Sequence, residues 1–186
     1  MSHSQVAPPH GTPVPTGPAK RPGTLTTLLV VTVLSAVSAF VGAVISFAGG
    51  TEFADQNLKD AIAQDPEKIG LPAGTTAKTV FGDGALWKSL VEERQDQLVN
   101  RAVMAVVIGA LLLLFALFAR KAATWARVMI TIMSVVVLLA HILIAGDYPP
   151  DSLLLTSMVA MLTALVAIVF SWLPANGRYA KQLKGL

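Results

Sequence analysis

The sequence predicts an all-α integral membrane protein: a bundle of four spanning helices with a Pro-rich tail before it and a partly helical segment outside the membrane. Of its 186 residues, 54% are hydrophobic and 13% are charged, against about 45–50% and about 25% in a soluble domain. Four runs without Asp, Glu, Lys or Arg are long enough to cross a bilayer. All 11 acidic residues lie between the first two runs or between the last two. These observations exclude a soluble globular domain.

Residues 1–23 form the Pro-rich tail. They contain six of the 11 prolines, separated mainly by Ser, Thr, Gly and Ala. Such a stretch cannot bury enough apolar area to offset the entropy lost on ordering, so we predict a disordered tail.

The first apolar run, residues 24–48, has no charged residue. As a helix it would be about 37 Å long, more than the ~30 Å hydrocarbon core of a bilayer. Lys20 and Arg21 precede it, as they would in a cleaved signal peptide. The apolar region of a signal peptide is only about 7–15 residues long, so an uncleaved spanning helix is the favoured interpretation.

Residues 49–100 form a long polar segment with apolar residues at helical spacing. We predict one short helix over residues 52–64. A second helix should begin near Leu86 and run directly into the second span, because residues 85–100 contain neither Gly nor Pro. About fifty residues make a poor core alone, so the apolar faces should lie on the membrane, on each other or on a partner.

Three more spans are predicted, over residues 101–119, 124–145 and 152–173. A basic turn joins the first two of these, and a loop with Pro149 and Pro150 joins the last two. The prolines cannot continue a helix, and either Asp151 or Ser152 can cap the next one. Residues 174–186 are predicted to be a basic tail.

The basic residues predict the orientation of the chain. Eight of them lie with no acidic residue on one side of the membrane, which is therefore the cytoplasm and holds both termini: Lys20, Arg21, Arg120, Lys121, Arg127, Arg178, Lys181 and Lys184. Trp125 and Trp172 fall at this inner boundary and Tyr148 at the outer one, where amphipathic rings prefer to lie. Six of the eight are predicted to contact lipid headgroups: Arg120, Lys121, Arg127, Arg178, Lys181 and Lys184.

The first span carries two rows of small residues at a spacing of four. Such rows let another helix backbone approach closely. They form either a dimer face or, as we favour, a contact with the chain's own second or fourth span. The rows are Ser35, Ala39 and Ala43, and Ser38, Gly42 and Ser46.

His141 is the only ionisable side chain within the four runs that lack Asp, Glu, Lys and Arg, which are residues 24–48, 102–119, 128–145 and 152–173. Ionisable groups in a membrane are candidates for function. It lies four residues before the outer boundary, with no ionisable neighbour at depth, so we favour a boundary histidine bonded to water, Asp147 or the outer loop. The alternative is a ligand-binding or pH-sensing role.

Catalytic and metal-binding signatures are missing from the sequence. There is no H-E-x-x-H, G-x-S-x-G or P-loop motif and no cysteine. Glu92, Glu93 and Asp96 could bind a cation, but a solvated helix face accounts for them. We therefore expect no catalytic residue, no metal and no cofactor.

Three short motifs carry a resemblance to a family. They are Arg21-Pro22-Gly23-Thr24 before the first span, Ala123-Thr124-Trp125-Ala126-Arg127 at the third, and Trp172-Leu173-Pro174-Ala175-Asn176 at the end of the fourth. With these motifs and its Pro-rich tail, the chain resembles uncharacterised small four-helix integral membrane proteins of high-GC actinobacteria. The resemblance implies a bacterial plasma membrane, and it implies no substrate or catalytic residue.

The expected function is that of a non-enzymatic multi-pass protein, a scaffold, sensor or accessory subunit acting through its outer segment and basic tails. The alternative is a small transporter or channel component, which would need to oligomerise to form a pore. Expected partners are the lipid bilayer and either a second copy or another membrane protein. Nucleic acid is not expected despite the net charge of +3, because topology explains the basic blocks.

Overall fold

A computed structural model describes residues 20–82 and 84–185 of the chain. Of the predicted disordered tail, residues 1–19 lie outside this description. The described residues form six α-helices and one short 3₁₀-helix and contain no strand. In chain order they are α1 (Gly23–Gln64), the 3₁₀-helix (Pro66–Ile69), α2 (Ala77–Phe81), α3 (Ala85–Ala119), α4 (Thr124–Ala145), α5 (Asp151–Ser171) and α6 (Pro174–Leu183).

Four helices, α1, α3, α4 and α5, are long and apolar enough to cross a membrane. This confirms the predicted all-α class with four apolar helices, and it is compatible with a multi-pass membrane protein. Helix α1 packs against α3 and α5, and α4 packs against the same two helices. Each long helix thus has two long neighbours, which is the arrangement of a four-helix bundle.

The bundle has two chemically different ends. The basic end carries the α3–α4 turn and α6, with Arg120, Lys121, Arg178 and Lys181. The segment end carries residues 51–82 and 84–100 of the polar segment, together with the α4–α5 loop.

Three clusters of buried side chains fill the bundle from end to end. Leu25, Leu28 and Ile130 belong to the cluster at the basic end. The middle cluster comprises Ala36, Leu112, Val137, Ala160 and Ala164, and the cluster at the segment end comprises Ala54, Ile62, Ala77, Trp87, Val91, Leu98 and Leu153. The middle cluster contains three alanines, whose small side chains allow the close helix approach typical of membrane bundles.

Large apolar side chains cover the outside of the bundle. Leu143 is 74% exposed and Leu155 is 67% exposed. A soluble protein rarely exposes so continuous an apolar surface. Lipid tails are as apolar as leucine, so the exposure carries no penalty in a bilayer.

A glycine pair bends α1 where its apolar part meets its polar part. Gly50 has φ 56° and ψ −153°, a conformation that side chains with a Cβ rarely adopt. A Cβ at Gly49 would lie 2.5 Å from Cβ of Phe53, so the bend also requires glycine there. The part of α1 beyond Gly50 belongs to the polar segment and is called the outer part of α1 below.

Helix α3 runs through both the polar segment and the bundle without a break. It covers 35 residues, about 52 Å at 1.5 Å per residue. Its first half therefore extends rigidly from the bundle and provides the surface on which the outer part of α1 packs.

One local prediction, the cap of the fourth span, is wrong. Pro150 occupies the N-cap position of α5 and no side chain caps the helix, so neither Asp151 nor Ser152 acts as the cap. Part of the predicted basic tail is helical, since Pro174–Leu183 form α6. Pro174 lies in the first turn, where the missing N–H of proline costs nothing.

Candidate functional site

The small-residue rows of α1 face other helices of the same chain. Five of the six residues are buried: Ser35, Ser38, Ala39, Ala43 and Ser46. The Ser38 hydroxyl donates a hydrogen bond to the backbone carbonyl of Thr156 on α5, at 2.7 Å. A Cβ at Gly42 would lie 3.1 Å from Oγ1 of Thr156. The row with Ser38 and Gly42 therefore packs closely against α5 within one chain.

A second close approach joins α1 to α3. A Cβ at Gly109 on α3 would lie 3.2 Å from the ring of Phe40 and 3.4 Å from the carbonyl oxygen of Ala36. Glycine at this position thus lets α3 lie directly on the backbone of α1, a contact that the sequence analysis did not locate.

A small cavity of about 50 Å³ lies between the long helices near the segment end. Because a water molecule needs roughly 10–15 Å³ of such space, the cavity has room for a few waters. Its polar lining comes from α1, α3, α4 and α5: Ser38, Ser46, Arg101, His141, Thr156 and Ser157. The structure therefore brings His141 and the small-residue rows to one place.

His141 forms a hydrogen bond within its own helix rather than with Asp147 or the outer loop. Its Nδ1 lies 2.8 Å from the backbone carbonyl of Val137, one turn earlier in α4, and donates to it. The Asp147 carboxylate instead forms ion pairs with Arg94 and Arg101. His141 is half-buried and lines the cavity described above.

Arg94 lies on α3 about one turn before Leu98, which lines the cavity, and it forms the centre of a polar cluster. Its side chain is 7% exposed. Its Nε donates to Oδ1 of Asn57 on the outer part of α1, at 2.7 Å. Its terminal nitrogens donate to the Asp147 carboxylate at 2.7 Å, to the Asp147 carbonyl at 2.9 Å and to Gln97 at 3.2 Å. One guanidinium thus joins α3, the outer part of α1 and the α4–α5 loop.

Other hydrogen bonds extend the cluster across the segment end. Asn57 donates from Nδ2 to the carbonyl of Tyr148 at 2.8 Å. The Tyr148 hydroxyl donates to the Asp65 carboxylate at 2.9 Å. Tyr148 has φ 43°, an uncommon value for a residue with a side chain. We call Asn57, Arg94, Arg101, Asp147 and Tyr148 the outer clamp.

Asp147 is the acidic member of the outer clamp. Arg101 also pairs with it, with 2.6 Å between its NH2 nitrogen and Oδ2. Burial alone would raise the pKa of the Asp147 carboxyl, but hydrogen bonds and charge from Arg94 and Arg101 outweigh burial and hold that pKa below its ordinary value of 3.8. The carboxylate is therefore charged at neutral pH and holds both arginines.

Arg94 was not predicted as a site residue, although the sequence contains one signal for it. Trp87, Val91 and Leu98 are buried on α3 at spacings that place Arg94 on the same face. A cation on an otherwise apolar helical stripe needs a partner. Asn57 and Asp147 lie 37 and 53 residues away along the chain, beyond the reach of periodicity.

Arg127 does not make the lipid contact predicted for it. Its side chain is 7% exposed and donates to the backbone carbonyl of Ser171 at 3.2 Å and to the Thr124 hydroxyl at 3.4 Å. Ser171 ends α5, where carbonyls lack helical partners, and a cation at such an end is favourable. Arg127 therefore joins α4 to the end of α5.

The other five predicted headgroup residues are exposed at the basic end: Arg120, Lys121, Arg178, Lys181 and Lys184. Beside them, Asn176 of α6 is fully buried. Its Oδ1 accepts from Thr24 at 2.6 Å and its Nδ2 donates to the Phe170 carbonyl at 2.7 Å. Helix α6 is thereby held across the basic end of the bundle.

Comparisons with other proteins add no relative. No protein-family model, curated protein or solved structure matches this chain. Within residues 20–82 and 84–185, His, Asp and Glu side chains form no group of three that could hold a metal ion.

Proposed function

We propose that the chain is a non-enzymatic multi-pass protein of the bacterial plasma membrane, with both termini in the cytoplasm. It acts as a scaffold or accessory subunit that presents its polar segment to another membrane protein. The eight basic residues without an acidic one at the basic end support this orientation by the positive-inside rule. The resemblance to small actinobacterial membrane proteins supports the plasma membrane.

The outer clamp is the observation that carries the proposal. A buried guanidinium bonded to two other elements fixes the outer part of α1 to the bundle. Hydrogen bonds to charged groups contribute about 1.5–3 kcal/mol each. A preorganised segment loses less entropy on binding than a flexible one, which suits a docking surface.

Two exposed apolar side chains mark the surface offered to the partner. Leu86, at the start of α3, is 61% exposed, and Val80 of α2 is 43% exposed. Leu86 precedes Arg101 by fifteen residues of continuous helix, which is about 22 Å. Since this distance takes Leu86 away from the hydrocarbon, lipid does not account for its exposure, whereas a partner protein does.

The alternative, a small transporter or channel component, has less support. The cavity of about 50 Å³ is small beside ligand sites of about 300–1,000 Å³. Toward the basic end the core is filled by Ala36, Leu112 and Val137, and α6 lies across that end. A pore would therefore have to form between copies of the chain.

Photocrosslinking in the native membrane tests the proposal. A benzophenone amino acid replaces Leu86 or Val80, and Lys88, an exposed position on the other side of α3 from Leu86, serves as the matched control. We expect one discrete adduct from positions 80 and 86 and none from position 88. An adduct of twice the mass of 19.5 kDa identifies a second copy, and another mass identifies a different partner. Equal labelling at all three positions, or none, contradicts the proposal.

A further inference from the structure

A groove on the outside of the bundle at the basic end has the chemistry of a lipid site. It has a volume of about 510 Å³ and lies between α1 and α3. Leu29 and Val33 form one wall and Leu113 and Leu117 the other. Its only charged lining residue within the described part of the chain is Arg120, which follows the last residue of α3.

The position of Arg120 fits the boundary between hydrocarbon and headgroups. Residues 102–119 contain no charged side chain, so the apolar part of α3 ends immediately before it. The groove extends over residues 113–120 of α3, about 10 Å along the helix axis. It can therefore hold the part of an acyl chain next to the headgroup while Arg120 reaches the headgroup itself.

Arg120 has no anionic partner among residues 20–82 and 84–185. Its side chain is exposed and makes no ion pair or hydrogen bond with the described residues. The acidic residue nearest to it in the sequence is Asp96 on one side and Asp147 on the other, and both lie toward the segment end. No described acidic residue is therefore available to Arg120, and guanidinium matches phosphate in geometry as well as charge.

We propose that this groove is a binding site for one anionic phospholipid of the leaflet at the basic end. One acyl chain lies between α1 and α3, and the phosphate is held by Arg120. The site is independent of the proposed partner of the polar segment, which lies at the opposite end of the bundle.

The proposal distinguishes a built site from a general attraction between basic residues and lipid. Lys121 is the matched control, because it is the next residue, is exposed, carries the same charge and does not line the groove. Val33→Trp tests the apolar part. Val33 is 41% exposed to the outside, so a larger side chain fills the groove without entering the core.

Native mass spectrometry of the full chain in detergent provides the test, with phosphatidylglycerol and phosphatidylcholine of identical acyl chains as probes. Wild type should retain one phosphatidylglycerol in preference to phosphatidylcholine. Arg120→Gln should weaken phosphatidylglycerol binding about tenfold, the size of one charged hydrogen bond. Lys121→Gln should leave it within about twofold, whereas Val33→Trp should weaken both lipids.

Three results would overturn the proposal. Equal retention of the two lipids by wild type would remove the role of the headgroup. Equal losses from Arg120→Gln and Lys121→Gln would reveal only diffuse attraction to basic residues. A dimer of wild type that Val33→Trp dissociates, with lipid binding unchanged, would assign the groove to a second copy. Thermal unfolding of each variant, unchanged from wild type, excludes misfolding as the cause of a loss.

Discussion

Arg94 donates hydrogen bonds to both the carboxylate and the backbone carbonyl of Asp147, at 2.7 and 2.9 Å. The two residues belong to different parts of the fold, the start of α3 and the α4–α5 loop. Because Arg94 also donates to Asn57, the pair fixes the outer part of α1 as well. Loss of this guanidinium would leave Oδ1 of the buried Asn57 without its donor, which costs about 1–3 kcal/mol.

Reporter fusions test the predicted orientation. Fusions after Ala7, Ala73, Ala122 and Leu186 should report cytoplasm, exterior, cytoplasm and cytoplasm, because the basic residues without acidic neighbours are retained inside. Substitution of both Arg120 and Lys121 by Gln serves as a control, since it reduces the excess of basic residues on the cytoplasmic side without altering the apolar runs. An exterior reading at Leu186 would contradict the orientation.

Acid should loosen the segment end through Asp147. Its pKa is below 3.8 in the folded chain, so the unfolded chain binds its proton more tightly. The stability that this group contributes is therefore present above about pH 4 and is lost as the pH falls through its folded pKa. Hydrogen exchange of the polar segment should accelerate in this range, and Asp147→Asn should reduce the acceleration.

A second carboxylate contributes to the same acid response. A hydrogen bond from Lys59 lowers the pKa of Asp55, and this effect together with a bond from Trp87 outweighs burial. Asp147→Asn should therefore leave a residual response, which Asp55→Asn then removes. An acid response unchanged by Asp147→Asn would contradict the role given to the pair with Arg94.

Overpacking at Gly42 should destabilise the single chain. A Cβ at this position would lie 3.1 Å from Oγ1 of Thr156, so Gly42→Leu should cost roughly 1–3 kcal/mol, as in other packed cores. Gly177→Leu is the control, because nothing lies within 4 Å of a Cβ at that position. Unfolding in SDS of a monomeric preparation measures the loss. Loss of a dimer alone would instead show that the row is an interface.

Conversion of His141 to glutamine should be tolerated. Glutamine can donate to the Val137 carbonyl as His141 does, but it does not ionise near neutral pH. His141→Leu removes the bond, at about 0.6 kcal/mol for an average membrane hydrogen bond. Proton and cation flux into liposomes should be absent for wild type and variant between about pH 5.5 and about pH 8. A wild-type flux that His141→Gln abolishes would favour the transporter alternative.

The sequence predicted the long helices well because their signal is local. A charge-free run of sufficient length can be recognised without knowing what packs against it. The absence of Gly and Pro from residues 85–100 likewise predicted that α3 continues into the second span. The bend at Gly50 lies within two residues of the predicted end of the first span. Close packing of Gly42 also followed from spacing alone, although the choice of α5 as its neighbour depends on the fold.

Polar contacts between distant residues were not predictable in the same way. Arg127 was assigned to lipid because it lies at a boundary, but the free carbonyl of Ser171, 44 residues later, binds it. Arg94 was overlooked for the same reason, since its partners come from two other elements. In both cases an arginine donates hydrogen bonds to acceptors that are distant in sequence and come close only in the folded bundle. Composition and periodicity do not identify such acceptors.

A spin-label distance measurement tests most directly whether the outer clamp attaches the polar segment rigidly to the bundle. The chain has no cysteine, so labels at Ala63 and Ser152, both exposed, report only the separation of the outer part of α1 from α5. Wild type and Lys88→Gln, which removes an exposed cation of α3, should each give one narrow distribution. Arg94→Gln should broaden it. A distribution equally narrow with Arg94→Gln, or already broad in wild type, would contradict rigid attachment by the outer clamp.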